Sequence, residues 1–266
     1  MRDRSALVVG LLAFGYAFLY APIAILIIYS FNDSRLVTVW SHFSTRWYGA
    51  LFHNGQIGDA FFLSLRIATV SASVSVVLGT LAAIAMIRAR RFVGRNAFEM
   101  LAMMPLILPD VLVGLSLLLL FVMSGEWLGW PSERGAATIT LAHITFGAAY
   151  ATIVIRARLS ELDPLLEEAA ADLGATPART FQRVTLPLLM PALLAAWLLA
   201  FTLSVDDIVI ASFVTGPGAS TLPIVIFSSV RLGVSPQINA LATLLICAVT
   251  LLVGTATFAL SRAKRG

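Results

Sequence analysis

Lysine is almost missing from this chain of 266 residues; the only one is Lys264, near the end. A phosphate-cradling G-x-x-x-x-G-K-[ST] loop therefore cannot be written, and ATP hydrolysis by that route is excluded. Cysteine is as scarce. Cys247 stands alone inside an apolar run, so the chain has no internal disulfide and no cysteine metal site. The three histidines, His42, His53 and His143, lie far apart and form no H-E-x-x-H. Charge is the third shortage. Asp, Glu, Lys and Arg make up 12 % of the residues, about half of what soluble domains carry. The arginines are dispersed at segment ends rather than gathered on one face, which argues against a nucleic-acid partner.

What is present is apolar. Hydrophobic residues are 59 % of the chain and mean hydropathy is +0.92. About 20 apolar residues span a bilayer as a helix, and six such stretches are expected: 5–30, 61–87, 100–123, 136–155, 188–205 and 238–260. The first is too long for a signal-peptide core and reads as an uncleaved anchor. The third should be irregular, because Pro105 and Pro109 both interrupt the helical ladder. Between the first two lies a polar, aromatic segment in which Thr45-Arg46-Trp47-Tyr48 suits a short interfacial helix. Residues 208–237 are punctuated by Gly216-Pro217-Gly218 and Leu222-Pro223, so a re-entrant or surface-lying segment is expected there. The fold class is thus all-α and polytopic. The expected organisation is an N-terminal helix and loop (1–60), a five-helix membrane domain (61–260) and a basic tail (261–266).

Six spans put both termini on one side. If that side is cytoplasmic, thirteen of the eighteen Lys and Arg lie inside, four lie outside and Arg66 falls within a span. That bias obeys the positive-inside rule.

The most polar long stretch, 159–187, interrupts two of these spans on the same side. Asp163-Pro164 reads as an N-cap and a first-turn proline. Leu165, Leu166, Ala169, Ala170 and Leu173 repeat at helical spacing, and Gly174 suits a left-handed helix end. Thr176-Pro177 starts a second short helix, expected to reach about Val184 before Pro187 stops it. A helix–turn–helix held outside the bilayer suits docking into a partner's groove. A lone amphipathic interfacial helix is the alternative.

Acids near or within spans are expensive and are candidate functional residues. Asp110 follows the Pro109 break, where it either meets a substrate or caps the helix that resumes. Asp206 and Asp207 end the fifth span. They either line a cation path, hold a docking protein or are simply solvated. Three carboxylates without a basic partner in the spans suit a cationic cargo. Trp47 and Tyr150 are candidates for stacking on an ammonium, with interface anchoring or helix packing as the competing explanation. An intramembrane enzyme would need a nucleophile–base or metal constellation, and none can be assembled from sequence.

Glu168-Ala169-Ala170, Gly174 and Val184-x-Leu186-Pro187 resemble the EAA loop of ABC importer membrane subunits; the family more often has Ile at position 184. The resemblance implies a type I ABC importer fold whose EAA loop docks in a separate ATP-binding subunit. Glu168, Ala169, Ala170, Gly174, Ala175, Thr176, Leu186 and Pro187 would form that coupling element. Glu168 should fix the two short helices to each other or to the partner, and the two alanines should permit close approach or merely favour helix.

Tyr20-Ala21-Pro22, Tyr29-Ser30-Phe31-Asn32, Trp47-Tyr48, Pro109-Asp110-Val111, Ser204-Val205-Asp206-Asp207 and Gly216-Pro217-Gly218 are further similar to membrane subunits of polyamine importers, most of all the putrescine-type permease. That implies a bacterial inner-membrane complex of two unlike permeases, two ATP-binding subunits and a periplasmic polyamine-binding protein. ATP and magnesium would belong to the partners, and this chain would bind no cofactor or metal. Iron(III) and thiamine importers are the nearest alternatives in the class.

Overall fold

The computed structural model describes residues 2–35, 39–89, 92–233 and 235–263. Arg90, Arg91, Lys264 and Arg265, which enter the orientation count, lie outside the described residues. Twelve α-helices are present among them: α1 (Arg2–Tyr29), α2 (Arg46–Phe52), α3 (Gly55–Arg88), α4 (Arg95–Ile107), α5 (Asp110–Leu128), α6 (Ala136–Glu161), α7 (Leu165–Asp172), α8 (Pro177–Thr180), α9 (Leu186–Asp206), α10 (Val209–Val214), α11 (Leu222–Leu232) and α12 (Pro236–Ala263). A π-helical turn, Phe181–Thr185, joins α8 to α9. Six segments are long and apolar enough to cross a membrane: Val8–Tyr29, Gly55–Arg88, Asp110–Leu128, Ala136–Glu161, Pro177–Asp206 and Pro236–Thr255.

Two boundaries differ from expectation. The third span begins at Asp110 rather than Met100, because the chain breaks at Leu108-Pro109, where both residues are extended (ψ 139° and 140°). A proline disfavours helix at the residue before it, and here the break leaves α4 as a separate helix. Pro105, by contrast, sits inside α4 without ending it. The second correction concerns Pro187, which does not stop a helix. The Leu186 amide bonds back five residues to Phe181 O. This wider turn gives the next residue, a proline with no N–H to donate, a place in the first turn of α9. Helical structure therefore runs unbroken from Pro177 to Asp206.

The chain forms two compact units. One comprises the residues up to Gly58 together with those from Ile226 onward; the other is Asp59–Val225. In the first, α12 packs on α1 and α2, and the segment between α1 and α2 is organised by Asn32. Its Nδ2 donates to Val39 O (2.7 Å), and its Oδ1 accepts from the Ser41 amide (3.0 Å).

In the second unit α6 is central, packing on α9, α4 and α10. The α3–α6 approach is backbone-close. A Cβ on Gly79 would lie 2.7 Å from Ala151 Cβ and 2.8 Å from the Thr152 amide nitrogen; one on Gly147 would lie 2.6 Å from Ser75 Oγ. Ser75/Gly79 and Gly147/Ala151 are each four residues apart and pair in the same order, so the helices run parallel on small-xxx-small faces. Among the described residues from 208 to 235 the helices are the short α10 and α11, as the glycines and prolines there imply, and α12 starts at Pro236.

Candidate functional site

The helix–turn–helix follows α6. Asp163 Oδ1 accepts the Leu165 amide (3.0 Å) and opens α7. Gly174 closes it at φ +80°. The Gly174 amide donates to Ala171 O (2.8 Å) and the Ala175 amide to Ala170 O (3.0 Å), the paired bonds of a Schellman end. Thr176 then caps α8, its Oγ1 accepting the Arg179 amide (3.4 Å), with Pro177 in the first turn. Each of these features was expected from sequence. Glu168 differs: it is exposed. Its neighbour Glu167 fastens the two helices instead, accepting from the Arg88 guanidinium at the end of α3 and from the Thr185 hydroxyl in the π turn. Glu167, one helical step from Glu168, faces the protein; Glu168 and Ala169 face outward, and Ala170 is half-buried.

The acids at the far end of α9 separate into two roles. Asp207 is half-buried. Its carboxylate accepts the amides of Ile210 (3.2 Å) and Ala211 (2.7 Å), capping α10, and pairs with His143 Nε2 (3.1 Å). The other imidazole nitrogen, Nδ1, lies 2.6 Å from Ser204 Oγ, and Ser204 Oγ in turn accepts from Ser71 Oγ (3.2 Å). Four polar side chains from α3, α6, α9 and the start of α10 thus form one buried line. Asp206, next in the chain, is exposed, and no ion pair engages it among the described residues. Asp110 occupies the first turn of α5 and is also exposed, making no side-chain cap. Tyr150, two turns along α6 from His143, packs edge-on against Phe146 (centroids 5.0 Å apart). Trp47 belongs to the other unit. Its Nε1–H donates to Asn32 O (2.8 Å), and the Arg46 guanidinium covers its ring at 4.4 Å. Loop organisation accounts for these contacts.

The structure corrects one expectation from sequence, that no nucleophile–base pair can be assembled. Ser204, His143 and Asp207 do form a serine–imidazole–carboxylate line. It does not have the form of a hydrolytic site. The cavity beside it, lined by Phe146, Gly147, Ala200 and Leu203 as well, measures about 10 Å³, which is at most the space one water needs. The amides at the start of α10, which an oxyanion would need, are already spent on Asp207. The missed signal was His143 itself. A lone imidazole in an apolar span needs a partner, and Ser204 and Asp207, three residues apart at a helix end, offer two groups on one face.

Comparison with known proteins bears on the whole chain. Residues 75–264 match the family model described as "Binding-protein-dependent transport system inner membrane component". The chain is 54 % identical over 262 residues to the "Putrescine transport system permease protein PotI" of Escherichia coli K12, covering 98 % of this chain and 93 % of that protein. It is 42 % identical over 231 residues to the "Spermidine/putrescine transport system permease protein PotC" of the same strain, covering 87 % and 85 %. Among solved structures, a bacterial ABC transporter that imports the acidic polysaccharide alginate superposes with a TM-score of 0.72 at 15 % identity, over 97 % of this chain and 95 % of that one. A chain of the MetNI methionine ABC transporter gives 0.58 at 16 % identity, over 83 % and 98 %. The fold is that of type I ABC importer permeases, and the chain belongs to the family of binding-protein-dependent transport system inner membrane components.

Proposed function

We propose that this chain is one permease subunit of an ATP-driven importer that carries a polyamine, putrescine first, across the bacterial inner membrane. The observation that carries this reading is the 54 % identity to a putrescine permease along nearly the full length of both chains. The site supports it: Asp206 and Asp110 are exposed carboxylates in or beside apolar spans, where a cation would offset the cost of charge.

The termini and the 159–187 loop are cytoplasmic, following the arginine bias. The loop docks in an ATP-binding subunit. Glu168 and Ala169 present themselves outward to that partner, and the Gly174, Ala175 and Thr176 turn sets the angle between α7 and α8. Leu186 and Pro187 join the loop to α9. The complete importer contains a second, unlike permease, two ATP-binding subunits and a periplasmic polyamine-binding protein. ATP and magnesium are used by the ATP-binding subunits, and this chain binds no cofactor.

The test is uptake of labelled putrescine and spermidine in cells lacking their own polyamine importers and expressing the complete operon. Wild type should import putrescine, and Asp206→Asn should assemble yet lose most uptake. Uptake of thiamine or iron(III) without polyamine would reassign the cargo.

A further inference from the structure

We propose that His143 is a positioning residue for transport: it locks Asp207 and Ser204 together, so that Asp206 stands as the free carboxylate at the end of α9. The inference rests on the polyamine reading for its cargo but not for its geometry. The imidazole is buried, with 3 % of its side chain exposed, and both ring nitrogens are engaged, at 2.6 Å to Ser204 and 3.1 Å to Asp207.

The consequences follow from where those partners sit. Ser204 is on the last turn of α9. Asp207 is the residue on which the chain leaves α9, and its carboxylate holds the first amides of α10. His143 comes from a different span, α6. It therefore ties the α9–α10 corner to the central helix of its unit, and Ser71 extends the tie to α3. Asp206 lies between the two tied residues in sequence but has neither tie. With Ser204 and Asp207 fixed on either side, the backbone at Asp206 and the direction in which its side chain leaves α9 are set as well. Without His143, Asp207 keeps its two backbone amides but loses its side-chain partner. It is then free to compete with Asp206 for a cation, and the corner loses its anchor on α6.

A double-mutant cycle in the full complex tests this. His143→Gln, Asp207→Asn and the double variant are measured for putrescine uptake as a function of concentration, with co-purification of the partner subunits as the assembly check. Loss of a buried hydrogen bond to a charged group predicts a rise in KM of ~10-fold for each single variant, with Vmax changed less. The double variant should be no worse than the more impaired single one, because both break the same contact. Losses that multiply, or a His143→Gln protein with wild-type KM, would overturn the proposal. If His143→Gln does not assemble, Ser204→Ala removes the other tie and is read in the same cycle. Failure of both to assemble would assign the line to folding alone and equally overturn it. If wild type imports no putrescine, the cargo reading falls separately. The cycle is then read in thermal stability of the purified complex, where coupling between His143 and Asp207 supports the contact and additivity refutes it.

Discussion

Gly79→Ala is the most incisive change the packing offers. The new methyl would start 2.7 Å from Ala151 Cβ and 2.8 Å from the Thr152 amide nitrogen. Carbon atoms rest at about 3.5–4.0 Å, so α3 and α6 must part by roughly 1 Å. The backbone nitrogen cannot rotate away as a flexible side chain would. Such a gap forfeits about a quarter to a half of each neighbouring contact's attraction. Overpacking of this kind costs about 1–3 kcal/mol. Replacing a mid-helix glycine by alanine returns about 1 kcal/mol of helix propensity, which leaves a net loss of about 0–2 kcal/mol against wild type and about 1–3 kcal/mol against a Gly→Ala control that meets no clash. At roughly 2–4 °C per kcal/mol for a chain of this size, the melting temperature of the purified subunit in detergent should fall by up to about 8 °C below wild type and lie about 2–12 °C below that of the control. Gly10→Ala is the control, since its Cβ would meet nothing within 4 Å; that variant should be unchanged or slightly more stable. A Gly79→Ala protein as stable as the Gly10→Ala control would refute the backbone-close α3–α6 contact.

Other predictions concern the loop and the acids. Glu167→Gln should lower the melting temperature by weakening the ties to Arg88 and Thr185, whereas Glu168→Lys should leave it unchanged and reduce co-purification of the ATP-binding subunit. The reverse pattern in a paired melt and pull-down would exchange the two roles. Gly174→Val puts a β-branched side chain at φ +80°, at a cost of about 1–2 kcal/mol or more. Uptake should fall while the spans stay folded, as followed by circular dichroism. Trp47→Phe removes the bond to Asn32 O and should lower stability by about 1 kcal/mol with little change in KM for putrescine; a large KM effect would move Trp47 into the substrate path.

The caps at Asp163, Gly174 and Thr176 were legible in sequence because capping is settled within four residues. The number of spans was legible because length and apolarity suffice. The course of the chain through Pro187 was not. Whether a proline ends a helix or is absorbed by a π turn depends on which carbonyl the preceding amide, that of Leu186, selects. The acid that ties the two short helices within the chain is Glu167 rather than Glu168, because two adjacent glutamates share a helix turn and only packing decides which faces Arg88; the alternative contact of Glu168, with a partner, stays a proposal. The His143 line was hidden for a different reason. Its members are separated by 61 and 64 positions, and no local pattern joins them.

The unbroken course from Pro177 to Asp206 gives the loop and the acids a common body. Thirty residues at about 1.5 Å each make a rod of ~45 Å, with α8 at one end and Asp206 at the other. The π turn, one wide coil near the α8 end, is where its ladder changes pitch. In the importer proposed above, work delivered to α8 would reach the carboxylates through one continuous helix rather than through a relay of loops. His143 ties the far end of that helix to α6 through Ser204 and Asp207, so a tilt of it would be resisted there.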